Sequence, residues 1–536
     1  MSQQDLAFTA ELPYTGPTPD PTPPRSSDAP VRIGGSVDPA RGEAYAAGFV
    51  PVVRDPDGRD RFVAADAEQH PRAVKDVAKL LREVSGDLRG LFTLEAEWDW
   101  WTGVEGVLVA LLYEVNPAGA PSQPDIDKAL FDALESLLAR APASELKQGL
   151  VKVAGWMETP ERGAPSSLTF ALASCQYPAT LLDQSVARAS YGRLARRLER
   201  PGKPQFLLLV GDQVYIDATA GMFDPTTPSE RFEQTYQRAE LALSETGIAA
   251  QLNAYKMLDD HEIVDNWEPL VYQGRPDPEM VTGRAYYLDY QRRPGPEQEA
   301  PIADSREPLW YQIKGRGLPI FVADTRTERT PRTAATFETA RIMSNAQFEK
   351  ILRWLSEQRD DIPKLIASPS ILLPRRMRAE GCAGALRSDA WDGYPWSLHR
   401  LLAHIVEKRI RNVIFLSGDE HLSSVARAEI TAIGKGESAT IFSVHSSALY
   451  APFPFANSIP DDLAGDDEFR FELEGSKYSC TVDTKFAPGD GFAIVGVRFA
   501  DGKWELRCEF DRERPEESIS MTHDLGSREK PLPLRY

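Results

Sequence analysis

Four apolar segments of this 536-residue chain finish in residues that can bind metals or move protons. LTFALASCQ ends at Cys175. A thiolate there would serve as a metal ligand or a nucleophile; a buried small residue is its plain alternative use. FLLLVGDQVYID carries Gly211 at the strand exit, then Asp212 and Tyr215, three apart on the turn and able to face one point. A carboxylate bridging two cations, with a phenolate on one of them, is a chemical use for that pair. A turn aspartate and a packed tyrosine is the other. Thiolate and phenolate together favour a trivalent metal such as Fe³⁺ over Mg²⁺ or Ca²⁺. YKMLDDHEIVDNW crowds Asp259, Asp260, His261, Glu262, Asp265 and Asn266 into eight residues. The histidine could ligate metal or protonate a leaving oxygen; otherwise the stretch is a solvated acidic loop. NVIFLSGDEHLSS sets Asp419 and His421 two apart after an apolar strand. Extended backbone points residues i and i+2 the same way, which suits two ligands on one cation.

These residues need strands to deliver them. From about residue 166, short apolar runs alternate with helical stretches: LTFALASC, QFLLLVGD, LPIFVADT, KLIASPSILL, NVIFLSGD and ATIFSVHS. That is an α/β sandwich pattern. In such sheets, ligand sites collect beyond the carboxyl ends of strands. Farther on, GFAIVGVRFADGKWELRCEF reads as an antiparallel pair joined at Asp501 and Gly502, a hairpin signal. Residues 1–45 are rich in Pro, Ser, Asp and Gly and read as an extended or disordered arm. Residues 46–165 read as a mostly helical region. Val74, Val77, Leu80, Leu81 and Val84 have helical spacing, as do Ile126, Leu130, Phe131, Leu134 and Leu138. Trp98, Trp100 and Trp101 between them suit a packed core or interface. Residues 166–510 form the domain that carries the candidate site, and 511–536 a C-terminal tail.

Composition narrows the function classes. With 42% hydrophobic and 26% charged residues, the chain is ordinary globular protein. Its formal net charge of -19 repels nucleic-acid backbones and anionic membranes, so neither is expected as a partner. Four cysteines are too few for a disulfide scaffold, although Cys480 and Cys508 lie in neighbouring strand-like runs and could pair. MSQQDLAFTA has no basic n-region and no apolar core of a signal peptide, and no apolar run is membrane-spanning, so the expected location is cytoplasmic. GxSxG, GxxxxGK[ST], HExxH and a strand-borne GxGxxG are all missing, which disfavours serine hydrolases, P-loop NTPases, zincins and Rossmann dehydrogenases.

Taken together, the ordered motifs resemble those of the PhoD-like (alkaline phosphatase D) metallophosphoesterases of the calcineurin-like superfamily. They are ASCQ at 173–176, GDQVYID at 211–217, DDHE at 259–262 with DNW at 265–267, ADTR at 323–326, WDGYP at 391–395 and LSGDEH at 416–421. The resemblance covers about residues 166–510. It implies a β-sandwich flanked by helices with two cations between the strand ends, and hydrolysis of a small-molecule phosphate ester by a metal-bound hydroxide. Cys175, Asp212 and Tyr215 would hold Fe³⁺, with Asp419 or His421 nearby. Asp212 would bridge to a divalent cation, Ca²⁺ or else Mn²⁺ or Zn²⁺, with Asp260 as its ligand and Asn266 as an alternative. His261 would act as acid or transition-state stabiliser. Arg326 and Arg329 are candidates to clamp phosphate oxygens, a task suited to a guanidinium fork. Tyr450, in HSSALYAPFPFAN, could line an apolar wall for the ester group, and His445 is an outside candidate for the metal site. The helical reading of 66–160 departs from the β-type amino-terminal domain of exported members. A metal-free scaffold of the same fold that binds a partner is the competing reading.

Overall fold

The computed structural model describes seven strands before residue 167. From 167 to 524 it describes all but 179–183, 219–226, 249–251, 270–276, 292–307, 314–317, 359–361, 377–380, 453–459, 501–502 and 513–518. The chain divides into two compact units. The first comprises Met1–Ala164, Leu243–Ala254 and Lys314–Gly317; the second takes the rest.

The first unit contains strands β1 (Phe8–Glu11), β2 (Val31–Ser36), β3 (Ala44–Arg54), β4 (Phe62–Ala64), β5 (Ala78–Leu81), β6 (Leu91–Ala96) and β7 (Gly106–Val115). β1, β2 and β6 make one antiparallel sheet. β3 is the centre of another, paired with β4, β5 and β7. Structure and expectation differ here. Residues 78–81, read as helix, are extended against 45–48, and β1 and β2 lie within the expected arm. GVLVALLYEV of β7 is a continuous apolar run, and such a run fits a buried strand as well as a helix. The second expected helix, Ile126–Leu138, and the three tryptophans lie outside the described residues.

In the second unit, the first sheet runs β10 (Asn253–Met257), β9 (Phe206–Val210), β8 (Ser167–Gln176), β20 (Gly491–Ala500), β21 (Lys503–Arg512) and β22 (Ile519–Asp524), with β17 (Ala448–Tyr450) also on β8. The second runs β11 (Tyr311–Ile313), β12 (Ile320–Val322), β13 (Lys364–Ala367), β14 (Val413–Ser417), β16 (Glu437–His445), β15 (Leu422–Ala432), β19 (Ser476–Pro488) and β18 (Asp466–Leu473). β8 and β9 are parallel, as are β12, β13, β14 and β16. β20 and β21 form the expected hairpin, with Ala500 opposite Lys503. Residues 519–524, read as tail, are an edge strand on β21.

Alternation along each strand explains the layers. Leu168, Phe170, Leu172, Leu208, Val210, Val495 and Leu506 of the first sheet share one buried cluster with Ile320, Leu365, Ile414, Leu416 and Val444 of the second. That is the centre of the sandwich. The second sheet's other face packs on helices Asn345–Glu357 and Pro395–Glu407 through Phe348, Ile351, Leu355, Leu398, Leu402 and Phe415. Ser344 caps the first of these helices by accepting from Gln347 N, and Pro395 opens the second at a position that needs no amide hydrogen. Cys480 lies in the helix-facing cluster and Cys508 in the sandwich centre, and both are free thiols, so they do not pair. No helix among the described residues is long and apolar enough to cross a membrane.

The sheets come together tightly at Gly418, just past β14. A Cβ there would sit 2.4 Å from Ser174 Cβ and 2.8 Å from Val210 O. Gly418→Ala is therefore expected to destabilise the protein by about 1–3 kcal/mol through forced separation of β8, β9 and β14. Chemical denaturation of the purified variant checks this; a midpoint within error of wild type contradicts it.

Candidate metal centre

The carboxyl ends of β8, β9, β10 and β14 converge. Cys175 is the penultimate residue of β8, Asp212 follows β9 by two residues, Asp259 and Asp260 follow β10, and Asp419 follows β14 by two. Carboxylate oxygens of Asp212, Asp259, Asp260 and Asp419 all lie within 4.8 Å of one another. Cys175 Sγ is 3.4 Å from Asp212 Oδ2 and 3.7 Å from the Asp419 carbonyl. Tyr215 packs in the same small cluster as Cys175 and stacks on the His261 ring at 4.1 Å.

The backbone takes an unusual form to achieve this. Cys175, Asp212 and Asp419 have φ of 51°, 59° and 80°, the left-handed region that side-chain-bearing residues avoid. Each such residue costs on the order of 1–3 kcal/mol and persists only where its surroundings dictate it. Here the surroundings do. Cys175 N donates to Gly211 O, Gln176 N to Asp212 O, and Gly418 N to Pro369 O. The buried Glu262 carboxylate accepts from the amides of Asp212, Gln213, Val214 and Asp259, at 2.9–3.2 Å, and ties the β9 exit to the β10 exit. Gly211, at φ 96°, is needed because a Cβ would meet Asp259 Cβ at 2.6 Å.

The arginines depart from expectation. Arg326 is fully buried. Its donors go to Asp259 Oδ1 at 2.7 Å, Asp260 Oδ1 at 3.4 Å, Asp389 Oδ2 at 2.6 Å and the Trp267 carbonyl at 3.3 Å. Arg329 bonds Asp389, Ser370 and the Thr325 carbonyl. Neither fork is left to grip a phosphate. Both brace the carboxylates from behind instead. Arg376 has the geometry expected of them: its side chain is 35% exposed, and its Nε lies 3.1 Å from Glu420 Oε1, beside Asp419. The sequence reading missed it because it lies outside every motif.

His261 Nδ1 is 2.9 Å from both Asp217 oxygens, so Asp217 fixes the ring and turns Nε2 away from itself. The last letter of GDQVYID could have signalled this partner. Asp265 lies 3.8 Å from Nε2, and Asp260, His261 and Asp265 make a second group of clustered ligand atoms. Asn266 is exposed; its side chain donates to Asp265 and its backbone amide to Asp260 Oδ2. His421 is half-buried, and among the described residues it belongs to neither group of clustered ligand atoms. Tyr450 is buried on β17, beside Gln176 at the end of β8. Phe453 and Phe455 lie outside the described residues. His445 uses both ring nitrogens, at 2.9 Å from Ser417 Oγ and 2.8 Å from the Glu420 carbonyl. Burial pushes it down to about 4, so it is a neutral brace for the Asp419 turn.

The donor set fits metal ions. Burial, then the Asp260 carboxylate, pushes Asp212 well above the carboxylate range, and burial with Asp259 and Asp260 does the same to Asp419. Asp259 is pushed up to about 7 by burial, against the pull of Arg326. Asp260 is the exception: Arg326 and His261 outweigh burial and hold it at about 2. Burial opposes charge on His261, but Asp260, Asp212 and Asp217 together raise its pKa. Asp259 Oδ2 and the Tyr215 hydroxyl are buried without a hydrogen bond of ordinary geometry. Such groups are satisfied by a cation that also cancels the mutual repulsion of the acids.

Acids with raised folded-state pKa hold protons that the unfolded chain has already released. Their contribution is complete below the ordinary value of 3.8 and is lost as pH rises through about 7 for Asp259. Chelated protein is therefore expected to lose thermal stability across this window, and saturating divalent cation to remove the loss. Thermal melts at several pH values, with and without chelator, check this; parallel curves contradict it.

Comparison with known proteins identifies the fold and the family. A solved structure of PhoD superposes with a TM-score of 0.58, covering 97% of this chain and 90% of that one at 14% sequence identity. No curated protein matches. The model of the PhoD-like phosphatase family matches residues 170–462, which include all four strand ends. The chain belongs to the PhoD-like phosphatase family.

Proposed function

We propose that this protein is a metal-dependent phosphoesterase that hydrolyses a small-molecule phosphate ester at a two-metal centre. The observation that carries the reading is the gathering of four carboxylates within 4.8 Å, with the Cys175 thiol against one of them. Fe³⁺ would be held by Cys175, Asp212 and Tyr215, with Asp419; thiolate and phenolate donors support that choice. A divalent cation, Ca²⁺ or else Mn²⁺ or Zn²⁺, would be held by Asp212 and Asp260. When bound, the pair would polarise the phosphoryl group and lower the pKa of a water.

The chain's own residues then have separate tasks. Arg326 keeps Asp259, Asp260 and Asp389 in place despite their like charge. His261, charged and held by Asp217, is set to give a proton to the leaving oxygen. Arg376, half-buried and paired through Nε with Glu420, would supply positive charge at the Asp419 side, where an anionic ester needs it. The reading also places the protein in the cytoplasm, where four free cysteines suit a reducing compartment.

The direct test is metal analysis of untreated protein with a panel of mono-, di- and triesters. Chelation is expected to abolish hydrolysis and added cation to restore it. Asp212→Asn is expected to lower occupancy of both sites, and Cys175→Ser to remove iron with its visible absorption band. Full activity in metal-free protein would sink the reading.

His261→Ala and Arg376→Ala should fail differently. The first is expected to slow alkyl esters by roughly 10²–10⁴, and nitrophenyl esters far less, because only the alkoxide needs a proton to leave. The second is expected to raise KM for both ester types, with a smaller change in kcat. Steady-state kinetics on matched alkyl and nitrophenyl substrates separates them; equal loss on both esters with loss of metal would make His261 a ligand.

A further inference from the structure

A cavity of about 290 Å³ lies on the outer side of the first sheet of the second unit. Four arginines line it: Arg193, Arg196, Arg197 and Arg200. They come from one face of helix Ala189–Leu198 and the turn after it, at spacings of three and four residues. In a chain of net charge -19, this local excess of positive charge runs against the rest of the surface.

The arginines divide into two pairs. Arg193 Nε is 3.2 Å from Asp511, and Arg197 is 3.7 Å from Glu509, so these two fasten the helix to β21. Asp511 and Glu509 stand opposite Phe492 and Ile494 across the β20–β21 register, so all four share the sheet face under the helix. Phe492 and Ile494 give that face an apolar floor. The side chains of Arg196 and Arg200 are exposed and have no ion-pair or hydrogen-bond partner among the described residues. Like charges three and four apart on a helix repel one another unless an anion intervenes. Placement in the last turn recovers part of that cost for Arg196 and Arg197 through the helix dipole, but it does not explain a walled cavity with an apolar floor.

We propose that this cavity is a second binding site, separate from the carboxylate cluster, for a small organic anion. Its ligand carries a phosphate, phosphonate or sulfonate group for Arg196 and Arg200 and a compact apolar body for the floor. The volume is near the lower end of the range for small-molecule pockets, which favours a ligand of a few tens of atoms over a macromolecule. The planar fork of arginine suits a tetrahedral oxyanion.

The probe is phenylphosphonate, which has both parts and is not hydrolysed. Calorimetric titration into the full-length protein at low salt is expected to show a site that survives Asp212→Asn. Arg196→Glu with Arg200→Glu, a charge change of four, is expected to weaken that site at least tenfold. The milder pair Arg196→Gln with Arg200→Gln should weaken it less, and circular dichroism should show both variants folded. Arg193 and Arg197 are left intact so that the helix keeps its anchors. Three results would overturn the proposal: no binding to wild type, equal binding to wild type and a folded double variant, or binding lost only with Asp212→Asn. Capture of an acidic peptide in place of phenylphosphonate would also overturn it, in favour of a protein-docking surface.

Discussion

The centre of this protein is an electrostatic problem. Asp212, Asp259, Asp260 and Asp419 crowd into a space where their charges repel, and most of their side chains are shut away from water. Charges of one sign at such distances cannot all ionise without compensation. One buried guanidinium, Arg326, meets Asp259, Asp260 and Asp389 together. Asp212 and Asp419 make no ion pair with it, and burial together with their acidic neighbours raises both well above the carboxylate range, with only His261 pulling Asp212 back. The structure thus spends its fixed positive charge on the outer wall of the cluster. Arg326 holds Asp259 and Asp260 from one side, and a cation bound among the four acids would supply the remaining compensation.

The same constraint explains the backbone around it. Aspartates on a smooth strand exit would point into opposite faces of the sheet. A left-handed residue at each exit reverses the chain locally and turns Cys175, Asp212 and Asp419 toward one point. The conformation is held from outside by the hydrogen bonds that four backbone amides donate to Glu262 and by Gly211 and Gly418, which let the exits touch. Glu262 and Arg326 are therefore not interchangeable with other acids and bases: each satisfies a specific set of donors or acceptors that no longer reaches water.

What the sequence made legible follows from where information is local. Each strand and its terminal motif lie within a dozen residues, so β8, β9, β10 and β14 and their end residues could be read directly. The role of Arg326 and Arg329 could not, because residue type does not reveal direction, and their carboxylate partners lie about 60 or more positions away. Arg376 and Asp389 escaped for the same reason. The strands at 78–81 and 106–115 were hidden by composition, since runs of Leu, Val and Ala satisfy a helix and a buried strand alike. The closeness of Cys480 and Cys508 in sequence did not show that their strands, β19 and β21, belong to different sheets.

The contact between Cys175 and the Asp419 carbonyl spans 244 positions of chain. During synthesis the first of these residues leaves the ribosome long before the second. At roughly 5–20 residues per second, the interval is on the order of tens of seconds. As it passes, β9 can pair with β8 and then β10 with β9, but β20 has not been made and the cluster lacks its fourth acid. A nascent chain in that state offers a thiol and three carboxylates without the closing strand end. A site that needs all four acids can therefore be complete only once translation has passed Asp419.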